Sequence, residues 1–216
     1  MALLDMLGHQ LQGNTLTQIS QQLGTDEGTT AKAVSLALPM LVGGLARNAA
    51  TDQGAAALDQ ALTKDHDGSL LDAPHQAVAD PMAFGGGGIL GHIFGQRQAP
   101  VEQGVAKATG LDAQKAGKLL MILAPIVMAA LARARSNQGG ANASAGSVLQ
   151  REQSNIERQV PGGLGGLASI LDRDGDGQIA DDIANLARGG LGGLGGSGGG
   201  GLGSILGGML GGDKRV

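Results

Sequence analysis

The sequence has no cysteine, tryptophan or tyrosine, and phenylalanine occurs only twice, at Phe84 and Phe94. Without cysteine the chain has no disulfide, thiolate zinc site, iron–sulfur cluster or cysteine nucleophile. The scarcity of aromatic side chains also excludes the stacking platforms with which many proteins bind single-stranded nucleic acid. A core must be built from Leu, Ile, Val, Met and Ala, and this composition favours packed helices over sheets.

The charge balance argues against nucleic acid as a partner. Fifteen basic and 19 acidic side chains give a net charge of −4, whereas a nucleic-acid-binding surface needs clustered positive charge. The first basic side chain is Lys32. The basic region that opens a secretory signal is therefore missing, and we expect a cytoplasmic protein.

Two uncharged runs, at residues 33–46 and 119–132, predict the core helices. Each run has 14 residues, fewer than the roughly 20 apolar residues that cross a bilayer. We therefore expect buried helices in an all-α fold. A membrane-associated protein, in which the two helices pair and tilt in a thinned bilayer, is the alternative.

The two runs belong to an internal repeat with an offset of 86 residues, which aligns Pro39 with Pro125. The same offset pairs Gly24 with Gly110, Asp26 with Asp112, Leu45 with Leu131, Ala46 with Ala132 and Arg47 with Arg133. We interpret the repeat as a duplicated unit that consists of a short helix, a glycine turn and a long apolar helix kinked at its proline.

Each unit carries its own helix boundaries. The glycine is expected to end the short helix in the C′ position, and the aspartate is expected to cap the long helix. The short helices would bury Leu16, Ile19 and Leu23 in the first unit and Val101 and Val105 in the second.

A short helix, a turn and a second helix are also the outline of a helix-turn-helix DNA-binding motif. In the first unit the second helix offers Asp26, Glu27 and a single cation, Lys32. Contacts to phosphates and base edges demand several Arg or Lys side chains. DNA binding is therefore a weaker alternative.

We divide the chain into four segments. They are a duplicated helical domain (1–134), a polar linker (135–160), an EF-hand-like acidic segment (161–188) and a Gly/Leu-rich tail of low complexity (189–216). The tail has 15 glycines between residues 189 and 212, with regularly spaced leucines among them. This composition is typical of a flexible linker or of a self-associating segment.

The acidic segment contains LDRDGDGQIADDI at residues 171–183. Within it, residues 172–179 match the first eight positions of an EF-hand loop. Three alternate carboxylates and a backbone carbonyl supply oxygen ligands that Ca²⁺ requires, and the glycine allows the sharp turn of the loop. The twelfth position, a bidentate glutamate in EF-hands, is Ile183 here. The predicted calcium ligands are therefore Asp172, Asp174, Asp176, Gln178 and, as substitutes for the glutamate, Asp181 or Asp182. An Asx-rich turn that caps the next helix is the alternative.

A shortened copy of this loop, TKDHDGSLLD, occupies residues 63–72. It keeps Asp65, Asp67 and Asp72, but Thr63 stands at the first ligand position and Pro74 at the twelfth. We expect an Asx-rich turn here in place of a metal site.

No catalytic residue is predicted. The four histidines have no i, i+4 spacing and no accompanying nucleophile motif, so we expect structural roles for them. If the chain were an enzyme, the place to look would be His66 and His92 beside Asp65 and Asp67.

Five motifs in this order, QQLG, LALPMLVGGLA, KDHDGSLLD, ILGHIFG and APIVMAALA, resemble the bacterial family called domain of unknown function 937. The resemblance covers about residues 3–132, and the later DRDGDGQIADDI with its Gly–Leu repeats is also similar to members of that family. A looser similarity is to the YidB-like proteins. The resemblance implies a helical bacterial domain without an assigned reaction. Ala73 and Pro74 depart from the family's commoner acidic pattern after LLD.

These features predict a non-enzymatic, cytoplasmic interaction module. We expect it to self-associate as a homo-oligomer or to bind a protein partner, and we expect calcium at the acidic loop. Membrane association through the two apolar helices is the alternative.

Overall fold

The computed structural model describes residues 3–138 and 143–159, and within these ranges all regular elements are helical. The α-helices are α1 (Leu3–Gln10), α2 (Asn14–Leu23), α3 (Glu27–Asn48), α4 (Asp52–Lys64), α5 (His75–Ala79), α6 (Gly86–Phe94), α7 (Gln98–Thr109), α8 (Ala113–Asn137) and α9 (Ala145–Gln159). Short 3₁₀ turns form at Ser69–Asp72 and Gly95–Arg97. The all-α prediction is confirmed.

The two glycine–aspartate junctions have the predicted local structure. Gly24 ends α2 with φ 60°, and Gly110 ends α7 with φ 82°. The carboxylate of Asp26 accepts a hydrogen bond from the backbone N–H of Thr29 (2.8 Å), and this bond lowers the pKa of Asp26. Asp112 accepts in the same way from Lys115 (2.7 Å). The predicted caps are confirmed, and descent of both units from one duplicated ancestor stays a prediction.

Helix α8 is the central element of the fold. It packs against α3, α6 and α7, and every side chain from Ile122 to Ala132 is buried. Both α3 and α8 run through their prolines, Pro39 and Pro125. The kink predicted at each proline stays a prediction.

Helices α3 and α8 are long and apolar enough to cross a membrane. However, 83% of the most apolar stretch of α8 and 50% of that of α3 are buried inside the protein. Neighbouring helices therefore already cover most of the apolar surface of α8.

The helix that follows the first glycine turn, α3, is also a core element. It packs against α7, α8 and α9. The ammonium groups of Lys115 and Lys118 on α8 donate to the backbone carbonyls of Gly24 (3.1 Å) and Gln22 (2.8 Å). These lysines bind carbonyls at the C-terminus of α2, where cations are favourable.

A helix lies within the segment 135–160 that the sequence predicts as a polar linker. α8 extends to Asn137, and α9 packs against α3, α4 and α8. Among residues 145–155 of α9, the part of the helix whose side chains the structure describes, the buried residues are Ala145, Val148, Leu149 and Glu152. These residues have the i, i+3, i+4, i+7 spacing of one helix face. The polar remainder of α9 dominates its composition, and for that reason the sequence suggests a linker.

Candidate functional site

A cavity of about 850 Å³ lies between α3, α4, α6 and α8. Its apolar lining comprises Leu45, Ala57, Leu58, Ala61, Ala83, Phe84, Ile89, Ile93 and Met128. Its polar lining comprises Asn48, Thr51, Gln53, Asp65, His66 and His92, and three glycines complete it. This volume and this mixture of apolar walls with a few polar groups are typical of ligand-binding sites.

Helix α4 supplies one wall of the cavity. Thr51 caps this helix, since its hydroxyl oxygen accepts a hydrogen bond from the backbone N–H of Gly54 (3.1 Å). The lining residues Ala57 and Leu58 share one face of α4 with Ala61, because they lie four and three positions before it. Ala57 is nonetheless exposed, so this part of the wall borders open space.

Glycines let α6 pack very closely on the core. A side chain at Gly86 would collide with the backbone carbonyl of Met121 on α8. A side chain at Gly44 on α3 would collide with Ile93 on α6. These two close approaches fix α6 against α8 and α3, and the residues Gly88, Ile89 and His92 of this helix line the cavity.

The outward face of α6 is open. A Cβ atom at Gly88, which lines the cavity, would meet no atom within 4 Å beyond the adjacent backbone of its own helix. The side-chain amide of Asn48 donates to the backbone carbonyl of His92 (2.6 Å) and so ties the end of α3 to α6 at the cavity.

The structure brings together three of the four residues that would be candidates for catalysis if the chain were an enzyme. Asp65, His66 and His92 line the cavity. His66 is half-buried, and this burial lowers its pKa from the ordinary value of 6.5, while the charges of Asp65 and Asp67 act in the opposite direction. The neutral imidazole is therefore the favoured form of His66.

The shortened acidic loop forms the predicted Asx turn. Asp67 accepts a hydrogen bond from the backbone N–H of Ser69 (2.9 Å), and hydrogen bonding to Ser69 lowers the pKa of Asp67. The guanidinium of Arg133 binds both carboxylate oxygens of Asp72 (3.0 and 2.9 Å) and lowers the pKa of Asp72. The same guanidinium donates to the carbonyl of Gly68 (3.2 Å). Asp67 thus shapes the turn, and Asp72 and the Gly68 carbonyl hold the loop to α8 through Arg133.

Among the side chains that the structure describes, in residues 3–138 and 143–155, no three of His, Asp or Glu are grouped so that they would hold a metal ion. The predicted calcium ligands, which are Asp172, Asp174, Asp176, Gln178, Asp181 and Asp182, lie outside the described residues. The same is true of the Gly/Leu-rich tail.

Most residues of the cavity lining belong to none of the sequence motifs. Helix α4, whose Ala57 and Ala61 form part of the wall, and Asn48, which joins α3 to α6, are examples. The signal that marks this face of α4 is the run of uncharged residues Gly54, Ala57, Leu58 and Ala61, at i, i+3, i+4 and i+7 of GAAALDQA.

The comparisons with known proteins agree with the helical domain. A family model described as "Bacterial protein of unknown function (DUF937)" matches residues 5–134, which is more than half of the chain. This match ends before α9 begins. No curated protein and no solved structure matches the chain. The chain therefore belongs to the bacterial domain-of-unknown-function family 937.

Proposed function

We propose that this chain is a non-enzymatic binding module of the cytoplasm whose cavity takes an apolar ligand or an apolar segment of a protein partner. The observation that carries the proposal is the cavity of about 850 Å³ between α3, α4, α6 and α8. Its walls are mostly apolar side chains and glycines, which gain from contact with an apolar occupant because water is displaced.

The charge of the lining narrows the class of occupant. Asp65 is the one charged side chain among the lining residues, and His66 favours its neutral form. A lining without Lys or Arg offers no partner for a buried carboxylate or phosphate. An uncharged apolar occupant therefore suits this cavity better than an anion.

Fluorescence titration with an uncharged dye that brightens in apolar surroundings, N-phenyl-1-naphthylamine, tests the proposal. Gly88→Leu places a side chain in the cavity where the structure leaves space. Gly91→Leu is the matched control, because Gly91 is in the same helix, has equally open space and does not line the cavity. We expect at least tenfold weaker dye binding for Gly88→Leu and wild-type binding for Gly91→Leu. Equal dye binding by both variants, or none by the wild type, would contradict the proposal.

A second pair of variants repeats the test from the opposite helix. Ala57 and Ala56 are both exposed on α4, but only Ala57 lines the cavity. Ala57→Leu is expected to weaken dye binding, and Ala56→Leu is expected to leave it unchanged. This pair keeps the test valid if Gly88→Leu does not fold.

Self-association is the second part of the proposed function. The supporting observation is the sequence of residues 189–212. This stretch is glycine-rich and uncharged, and leucines occur in it at regular intervals. Apolar side chains at regular intervals favour contact between chains. Sedimentation of full-length protein and of protein lacking residues 189–216 tests this part, since a monomer in both cases would contradict it.

Calcium binding at residues 172–182 is the third part. It rests on the alternation of Asp172, Asp174 and Asp176 with a glycine and Gln178 behind them. Three carboxylates at this spacing supply the hard oxygen ligands that Ca²⁺ prefers.

A further inference from the structure

The cavity is a gap in a layer of helices. Both α4 and α6 pack against α8, and both line the cavity, but they make at most slight contact with each other. Met128 of α8 and Leu45 of α3 line the same space. We call this space, defined by the cavity lining given above, the α4/α6 slot. Four of its apolar lining residues are already buried, namely Leu45, Leu58, Ile93 and Met128. Ala61, Phe84 and Ile89 are only half-buried, and one more apolar element would cover them further.

The dimensions of the slot suit a short helix. Helix α6 has nine residues, which corresponds to about 13 Å of helix axis. Ala57, Ala61, Gly85 and Gly88 line the slot, and small residues let a neighbouring helix approach to about 8 Å between axes. An apolar helix of two to three turns is therefore the occupant that matches the slot.

The tail contains a stretch that repeats the sequence of α6. Residues 205–211 read ILGGMLG, and residues 89–95 read ILGHIFG. The two stretches are identical at four of seven positions and have large apolar residues together at two more. In α6 this pattern packs against the core, since Leu90 and Ile93 are buried. Residues 205–211 thus repeat the apolar pattern of α6, with Leu206 in the place of Leu90 and Met209 in the place of Ile93.

The spacing of apolar residues in the same stretch predicts a single helical face. These residues are Leu202, Ile205, Leu206, Met209 and Leu210, at i, i+3, i+4, i+7 and i+8. Glycine and serine occupy the other positions, so the backbone of this stretch can approach a neighbour closely. No charge occurs between residues 189 and 212, as an apolar slot requires.

We propose that the α4/α6 slot binds residues 202–211 of a second copy of this chain. The inference rests on the proposed function, because it names the partner of the same cavity. The described residues end at residue 159, and residues 160–201 separate them from this stretch in the sequence. On the open side of the slot the described residues offer such an occupant the half-buried side chains of Phe84 and Ile89 and the small residues Ala57 and Gly88.

Sedimentation velocity of the full-length protein over a range of concentrations tests the pairing. The wild type and Gly91→Leu are expected to associate with rising concentration, whereas Gly88→Leu, Ala57→Leu and the double variant Ile205→Ser/Leu206→Ser are expected to stay monomeric. If Gly88→Leu and Ala57→Leu still associate, the inference is wrong, although self-association through the tail would not be contradicted. A monomeric wild type would overturn both.

Competition with a peptide separates the inference from the proposed function. A synthetic peptide of residues 201–212 is expected to displace N-phenyl-1-naphthylamine from the wild type at low protein concentration, and the same peptide with Ile205→Ser and Leu206→Ser is not. Dye binding without displacement by the first peptide would overturn the second-copy inference alone. Absence of dye binding would overturn the proposed function as well.

Discussion

The carboxylate of Glu152 on α9 accepts a hydrogen bond from the backbone N–H of Leu3 (2.9 Å), and the pair joins the two ends of the described domain. The other carboxylate oxygen of Glu152 accepts from the N–H of Leu4 (3.0 Å). Glu152 thus binds the free N–H groups at the start of α1, as a capping carboxylate does. Because Glu152 is only 4% exposed, the hydrogen bonds are largely shielded from water.

Glu152→Gln is expected to lower the free energy of unfolding by about 1–3 kcal/mol. The amide keeps one acceptor but turns an N–H donor toward a backbone N–H, so one hydrogen bond is lost in a buried place. Urea unfolding measures the change. Gln150→Ala, an exposed position on the same helix, is the control and is expected to change stability little. An equal effect of both substitutions would show that Glu152 does not bind α1 in this way.

A second prediction concerns the close packing of α6. Gly86→Ala is expected to destabilise the domain by about 1–3 kcal/mol, because its Cβ atom would meet the carbonyl oxygens of Met121 and Pro81. Gly91→Ala in the same helix meets no atom within 4 Å. It is expected to be neutral or to add up to about 1 kcal/mol through helix propensity. Thermal unfolding of both variants checks the difference, and a neutral Gly86→Ala would contradict the close approach of α6 to α8.

Much of this helical frame is predictable from local sequence. Gly24 and Asp26 set a helix end and a helix start through their own backbone and side-chain chemistry, which does not depend on distant contacts. The residues of 119–132 are apolar enough to require burial in any compact fold. Both predictions therefore agree with the structure.

The cavity and α9 depend on tertiary packing and could not be predicted in this way. The distance between α4 and α6 on α8 decides whether Ala57 faces a gap or a neighbouring side chain. The sequences of these two helices do not determine that distance. Glu152 looks like one more charge on a polar helix until α1 places Leu3 and Leu4 beside it. Their roles follow only from the three-dimensional structure.

A third prediction is a pH dependence of stability from His66. Burial lowers the pKa of His66 in the folded protein, so the unfolded chain binds the proton more readily. Stability should therefore fall as pH decreases from about 7.5 to about 5.5, through the ordinary histidine range. Urea unfolding at both pH values is expected to show a smaller loss for His66→Gln than for the wild type. The exposed His75 provides the control, and a reduced loss in His75→Gln as large as that in His66→Gln would contradict the assignment.

A fourth prediction concerns calcium. Isothermal titration with Ca²⁺ is expected to give binding heat for the wild type and none for Asp172→Asn/Asp174→Asn, because the amides lose the charge that holds the cation. Asp65→Asn/Asp67→Asn is the control in the shortened loop and is expected to bind Ca²⁺ like the wild type. Absence of heat with the wild type at millimolar Ca²⁺ would contradict calcium binding at residues 172–182.

The central claim is that the α4/α6 slot is a binding site, and amide chemical-shift mapping tests it most directly. Full-length protein labelled with ¹⁵N is titrated with N-phenyl-1-naphthylamine and observed by two-dimensional NMR. We predict shifts concentrated at residues 45–48 of α3, the 54–66 stretch, residues 83–93 and Met128, with α1 and α9 unchanged. Shifts spread over α1, α2 and α9, or no shifts at saturating dye, would contradict the account.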